Sequence, residues 1–379
     1  MIVKLARALA ALLLVVAAPA LAQDLKVPKR FVTLDKMKVM ADWQLAHLED
    51  LSYIPALRSD TSEPRDWQQA TFWVALAKVA ERSLSTRFSE AILAKGRALE
   101  WKMGERQYHA DDHLIGAAWL WAARNSGGPE AVMGVKTVFD RVLAAPKTGS
   151  LRVGAEFDCA DRWCWCDALF MAPPTWWELS IETGDPRYAD FAHKEFVATT
   201  ELLLDPAENL YYRDSRFFDR KGAHGEKLFW SRGNGWVFAG LARLIPLIAD
   251  DDPRFGWYVD LFKKMAARLV TLQRPNGYWP PSLLGDPATA ADETSGTGFY
   301  TFGMAWGVKT GLLPRERYLP AVLRGWDALN RAIQPDGRLG WVQQVSDRPE
   351  AVAANDTQFY GTGAYLLAGS GVYDLALGL

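Results

Sequence analysis

GNGWVFAGLARLIPLI (residues 233–248) decides how this chain folds, because the chain repeats it. GTGFYTFGMAWGV (296–308) and GTGAYLLAGSGVY (361–373) open with the same Gly-x-Gly and continue as apolar runs rich in small residues. The spacing is roughly 64 residues, and a fixed long period marks a chain built from one repeated supersecondary unit. The lead-ins match too: LQRPNGYWPPS (272–282) and IQPDGRLGWVQ (333–343) each set a Pro-Asn-Gly or Pro-Asp-Gly turn before a Trp.

One period before Gly233 lies Cys166-Asp167-Ala168. A slightly shorter interval earlier lies Asp111-Asp112-His113, followed by LIGAAWLWAARNSGG; earlier still, Trp67 precedes ATFWVALAKVAERS. These six segments are apolar on most sides, as buried helices are. Between them run amphipathic stretches at 35–49, 88–103, 129–145, 187–203, 256–272 and 318–333, and β-rich runs are scarce. Six buried helices alternating with six amphipathic ones predict an all-α fold, an (α/α)6 barrel whose inner helices share one end. Two helical domains or an α-solenoid are the alternatives, but a solenoid does not need dissimilar polar residues at one end of its repeats. No domain boundary shows inside 23–379, and the long polar loop 204–231 reads as a functional rim element.

The repeat starts hold Asp111 and Asp112, Asp167, Arg232-Gly233-Asn234-Gly235-Trp236, Glu293-Thr294-Ser295-Gly296, and Asp356 near Gly361. Dissimilar polar groups at one end of an apolar toroid make a pocket. Asp167 stands out in RWCWCDALFMAPP (162–174): if the segment is helical, its i−4, i−3, i+3 and i+4 neighbours are Trp163, Cys164, Phe170 and Met171, with no cation on that face. Burial there raises its pKa. Its bland reading is an N-cap for a helix starting at Ala168, although Pro173-Pro174 would start a helix themselves. Asp111 and Asp112 look more like an ordinary cap, yet two carboxylates facing one cavity raise each other's pKa and suit acid/base work. In FWSRGNGW (229–236), Gly233 and Gly235 would let backbone approach a ligand. Arg232 would hold a carboxylate and Trp236 would stack on a sugar; a structural Arg beside a core Trp is the rival reading. Arg213, in LYYRDSRFFDR, supplies a second cation or is simply a solvated loop residue. No His sits beside a Ser or Cys nucleophile motif, so a triad hydrolase has no support.

The first residues, MIVKLARALAALLLVVAAPALA, read as a secretory signal (1–22) cut after Ala22, with Lys4 and Arg7 before a short apolar run. Export to the periplasm or medium is the expectation, with no later membrane span. Net charge is −2 without a basic block, which points away from nucleic acid and anionic lipid. Seventeen Trp and twelve Tyr suit a sugar-facing protein, though many must be core. The three cysteines, Cys159, Cys164 and Cys166, allow one disulfide, more easily from Cys159 to Cys164 or Cys166 than between the last two. A zinc site lacks a fourth ligand at sensible spacing. Neither a metal nor a cofactor is expected, and the oligomeric state is not legible.

WCWCDALFMAPP, FWSRGNGWVFAGLARL, YWPPSLL…ETSGTGFYTFGMAWG and FYGTGAYLLAGS resemble the unsaturated uronyl hydrolases of glycoside hydrolase family 105, related to family 88. The resemblance spans nearly the whole mature chain. It implies an (α/α)6 barrel and a metal-free hydrolysis of Δ4,5-unsaturated uronic acids at the non-reducing end of lyase products. In that family a buried Asp protonates C4 of the C4=C5 bond and helps water add at C5; the hemiketal then opens and releases the remaining sugar. Carried over, Asp167 matches the acid/base, Asp112 the second acid, Trp165 and Trp236 rings at the sugar site, and Arg232 a substrate-contacting Arg. Some members carry a His before the loop Arg, where this chain has Tyr212-Arg213. That departure bears on the neighbouring sugar, from rhamnogalacturonan, ulvan or another uronate polymer. The rivals are an inverting glycosidase using Asp112 and Asp167, a polysaccharide lyase on the same toroid, and a sugar-binding protein without turnover.

Overall fold

The computed structural model describes residues 26–57, 63–154, 157–286 and 290–378, so the expected signal segment lies outside the described residues. In chain order the α-helices are α1 (Arg30–Ala46), α2 (Trp67–Ala80), α3 (Arg87–Ala98), α4 (Ala110–His113), α5 (Ile115–Ala122), α6 (Pro129–Ala144) and α7 (Ala168–Met171). They continue as α8 (Pro173–Thr183), α9 (Pro186–Leu203), α10 (Ser231–Leu244), α11 (Phe255–Leu269), α12 (Thr294–Lys309), α13 (Arg315–Arg331) and α14 (Phe359–Leu375).

The inner ring closes. α2 packs on α5, α5 on α8, α7 and α8 on α10, α10 on α12, α12 on α14, and α14 returns to α2. That last contact separates a barrel from a solenoid. The α12 and α14 helices are buried almost end to end. By contrast, outer α13 buries one stripe, which includes Tyr318, Ala321, Val322, Gly325, Trp326 and Leu329. Those positions fall at i, i+3, i+4, i+7, i+8 and i+11, the pattern of a helix lying against a core with its other face in water. The outer helices match the amphipathic stretches closely. Two ends differ most: α1 starts earlier, at Arg30, and α3 stops at Ala98, because Glu100 and Trp101 adopt φ of 53° and 56° and turn the chain. Among the described residues no helix is long and apolar enough to cross a membrane.

The Gly-x-Gly pairs serve helix packing. A Cβ at Gly298 would sit 2.8–2.9 Å from Ala364 on α14, and one at Gly363 would meet the backbone of Thr71 on α2 at 2.9–3.0 Å. At Gly233 and Gly235 the neighbours are Cys166, Trp230, Phe299 and Gly296. This corrects the expectation that those two glycines admit a ligand: Gly235 lets α10 touch α12, and Gly233 makes room for the side chains of Cys166 and Trp230. Gly298→Ala is therefore expected to destabilise the fold by about 1–3 kcal/mol, since backbone cannot swing aside. Gly256→Ala on α11, where a Cβ meets nothing within 4 Å, should be neutral or slightly stabilising. Denaturant unfolding of the two variants separates them.

The Pro-Asn-Gly and Pro-Asp-Gly turns form as read. Gly277 and Gly337 take φ of 95° and 97°, and each donates its N–H to the carbonyl three residues back, Arg274 or Gln334, at 2.9 Å. Loop 204–231 carries the one two-stranded sheet among the described residues, β1 (Leu204–Asp205) against β2 (Leu210–Tyr211).

Candidate active site

A cavity of about 480 Å³ opens at the end of the ring where the inner helices begin. Asp66 enters it just ahead of α2, His109 and Asp111 from the start of α4, Trp165, Asp167 and Met171 from around α7. Arg213 reaches it from the long loop, and Val345–Arg348 from the loop before α14.

Asp167 is set by the turn before it. A disulfide joins Cys159 to Cys164, a short 3-10 helix runs from Asp158 to Arg162, and Trp163 takes a left-handed φ of 57°. Of the two easier pairings in the sequence, this is the one formed; Cys166 stays a free, buried thiol. The chain then delivers Asp167 to the N-terminal end of α7, where its side chain makes no capping hydrogen bond. The bland reading as a side-chain cap therefore fails. Burial pushes the carboxyl above its usual range, and Arg213, then Arg232, pull the other way without winning. The cation that the local helical face lacks comes from loop 204–231: Arg213 Nε stands 3.6 Å from Asp167 Oδ2. Its carbonyl accepts the Cys166 N–H at 2.8 Å, its Nη1 donates to Asp214 at 2.8 Å, and its guanidinium lies over the Phe157 ring. The Nε–H itself has no hydrogen-bond partner in the structure.

The second acid is displaced by one residue. Asp112, expected in the pocket, accepts the Arg106 backbone N–H at 2.7 Å and its Nε–H at 2.9 Å, forming a clamp outside the cavity lining. Asp111 lines the cavity instead. Successive helical side chains point about 100° apart, so only one of the pair faces inward. Burial drives the Asp111 carboxyl well up, reinforced by the charges of Asp66, Asp112 and Asp167 and opposed by Arg106. A raised folded-state pKa means the fold favours the protonated acid. That stability is complete below the unfolded value and is lost as pH rises through the folded one. Asp111→Asn escapes the loss. Its Tm is expected to equal the wild type's near pH 4 and to exceed it by about 2 °C or more at pH 8, as a pH series of thermal melts would show.

Arg232 and Trp236 do not reach the cavity. Arg232 is fully buried between the Trp230 and Tyr360 rings, 4.5 and 4.7 Å from their centroids. It donates to the carbonyls of Gln343 at 2.6 Å and Gln344 at 2.9 Å, bracing the loop whose next residues line the site. Trp236 is core, packed on Phe299, Phe170 and Trp67. With α10 starting at Ser231, Trp236 lies about 7 Å down the helix from its first residue. The rival reading of that segment, a structural Arg beside a core Trp, is the one the structure bears out. Glu293 caps α12 through the Ser295 and Gly296 N–H groups, and Asp356 accepts from Ala353; neither lines the cavity.

Trp165 does line it, its ring 4.8 Å from that of His109. His109 itself escaped the sequence reading, as did Asp66, Arg106 and Arg348. Burial and the nearby Arg106 push His109 down to about 3, so its ring is neutral at physiological pH. Asp66 precedes the first inner helix as Asp167 precedes α7, so extending the repeat by one residue would have found it. Arg106 and Arg348 have half-exposed side chains, and no repeat marks them. Asp66 pairs with Arg106 at 3.2 Å, and Asp347 with Arg216 and Arg348. The cavity thus combines an acid whose pKa burial raises, an aromatic wall and three guanidinium groups, an arrangement suited to acid catalysis on an anionic sugar.

Residues 36–376 match the family described as Glycosyl Hydrolase Family 88. A protein of Alteromonas sp. (strain LOR) named Unsaturated 3S-rhamnoglycuronyl hydrolase is 40% identical over 342 residues, 87% of this chain and 83% of that one. A protein of the same name from Formosa agariphila is 36% identical over 351 residues, 90% of each chain. Among solved structures, Glycosyl hydrolase family 88 from Bacteroides vulgatus shares the fold with a TM-score of 0.80 at 24% identity, covering 92% of this chain and 100% of that one.

Proposed function

The chain belongs to Glycosyl Hydrolase Family 88, and on that premise we propose how its cavity works. The protein is a hydrolase of unsaturated uronyl sugars, acting on oligosaccharides that polysaccharide lyases release. Asp167 is the acid. Its proton passes to C4, and the π electrons of C4=C5 form the new C–H bond. The cation left at C5, stabilised by the ring oxygen, takes water, whose surplus proton returns to Asp167. The hemiketal at C5 opens and the attached sugar departs. Arg213 holds the uronate, Trp165 flanks the ring, and Asp111 is the second pocket acid in place of Asp112.

The observation that carries this reading is the buried carboxyl of Asp167, raised in pKa with a guanidinium 3.6 Å away. A vinyl carbon needs a protonated donor, and burial shifts Asp167 toward that form. The sugar beyond the uronate is a sulfated rhamnose, supported by the names of the two relatives and by the half-exposed Arg106 and Arg348 at the cavity. The protein acts outside the cytoplasm, supported by the signal-like first residues and by the Cys159–Cys164 disulfide.

An ultraviolet assay on unsaturated oligosaccharides from several lyases tests the whole reading. Loss of the absorbance of the conjugated enol ether, fastest with a sulfated rhamnose beside the uronate, is the expected result. A gain of absorbance on intact polysaccharide would make the protein a lyase. Turnover of saturated and unsaturated substrates alike would make it an ordinary glycosidase.

A further inference from the structure

The third cysteine is the residue that neither the fold nor the disulfide explains. Cys166 is fully buried, directly precedes Asp167, and points its Sγ at Asp167 Oδ2 from 3.5 Å. Its sulfur also fills the space in front of Gly233, where a Cβ would lie 3.0 Å away. Its backbone N–H holds the Arg213 carbonyl at 2.8 Å. Arg213 Nε approaches that same Oδ2, at 3.6 Å. Two groups that carry hydrogen, one of them a cation, therefore face a single oxygen of the carboxyl.

From this convergence we infer that Cys166 is a positioning residue for the reaction: its S–H donates to Oδ2 and leaves the acid's proton on Oδ1, toward the cavity. The inference rests on the reading of Asp167 as the proton donor. A protonated carboxyl has one O–H, and placing that hydrogen on Oδ2 would set it against the S–H and the guanidinium N–H. Placed on Oδ1, it leaves Oδ2 free to accept from the thiol and to face the guanidinium charge. The thiol stays a donor throughout, because burial and the adjacent carboxyl hold its pKa well above the ordinary value. When Oδ1 passes its proton to C4, the negative charge that remains is met at Oδ2 by the thiol donor already in place and by the guanidinium charge 3.6 Å away. The bond formed is C4–H and the bond broken is Oδ1–H; the sulfur keeps its hydrogen and is neither oxidised nor alkylated.

The test compares Cys166→Ala with Cys166→Ser in steady-state kinetics across pH, with wild type and Asp167→Asn alongside. Ala removes the donor and is small enough for the site; Ser keeps an O–H aimed at Oδ2. One lost hydrogen bond to the nascent carboxylate corresponds to a fall in kcat of about three- to tenfold in Cys166→Ala, with KM within about twofold. The alkaline limb of its profile moves to higher pH, since a donor that favoured the carboxylate is gone. Cys166→Ser is expected to retain most of the wild-type rate and the wild-type limb. The inference is overturned if Cys166→Ala keeps both kcat and pH profile, or if Ala and Ser lose activity equally, which would make the role one of packing. Near-normal activity in Asp167→Asn would instead overturn the reading on which the inference stands. The outcomes are distinct.

Discussion

Replacing Asp167 with Asn is expected to lower kcat by about 10³-fold or more while leaving thermal unfolding nearly unchanged. The substitution preserves volume and replaces a carboxyl whose side chain is only 11% exposed. It removes no capping bond, because Asp167 makes none. What disappears is the transferable proton: an amide can hydrogen-bond a sugar, but it cannot protonate C4. Binding of the unsaturated substrate should survive, so a titration with the variant separates lost chemistry from lost affinity. The pH profile adds a signed check on the wild type. Activity needs the protonated form, so it is full below the pKa of Asp167 and falls as pH rises through it. Burial raises that pKa, placing the limb above the range of a solvent-exposed aspartate. Near-normal turnover in Asp167→Asn would refute the assignment.

Arg213→Gln is the second large effect, and its signature is different. The uronate loses its cation in a partly desolvated site, a loss worth about 2–5 kcal/mol, or roughly 30-fold to several thousandfold in kcat/KM. Much of it should appear as a higher KM. Asp214 is not stranded by the change, since Arg216 also binds it at 2.8 Å, so the loop keeps its main brace. Arg213 favours the ionised form of Asp167; removing it raises the pKa of the acid further, and the alkaline limb shifts to higher pH. Weaker binding together with a limb displaced upward distinguishes loss of this guanidinium from a collapsed loop, which would lower activity at every pH.

The barrel was readable from the amino-acid order because each helix records its own environment. A helix inside the ring is apolar on all sides and one outside carries a stripe, and both patterns are local properties of a 3.6-residue period. The Pro-Asn-Gly and Pro-Asp-Gly turns were readable for the same reason, since a positive φ at Gly277 or Gly337 is a local demand. Asp167 was readable because its apolar neighbours adjoin it in the chain.

What adjoins in space alone was settled by the tertiary structure. Asp111 and Asp112 are equivalent in sequence, and the rotation of α4 about its axis sends one to the cavity and the other to Arg106. Arg232 carries the stronger motif, yet it is sealed between Trp230 and Tyr360, while Arg213, a loop residue of no obvious pattern, reaches the acid. Arg348 and Asp66 enter from opposite ends of the chain. Burial pattern along a helix follows from which residues want to leave water, and that preference is written residue by residue. Which charged group meets which depends on helix rotation, on depth below the rim and on the path of loops across it. Those are set only when the ring closes.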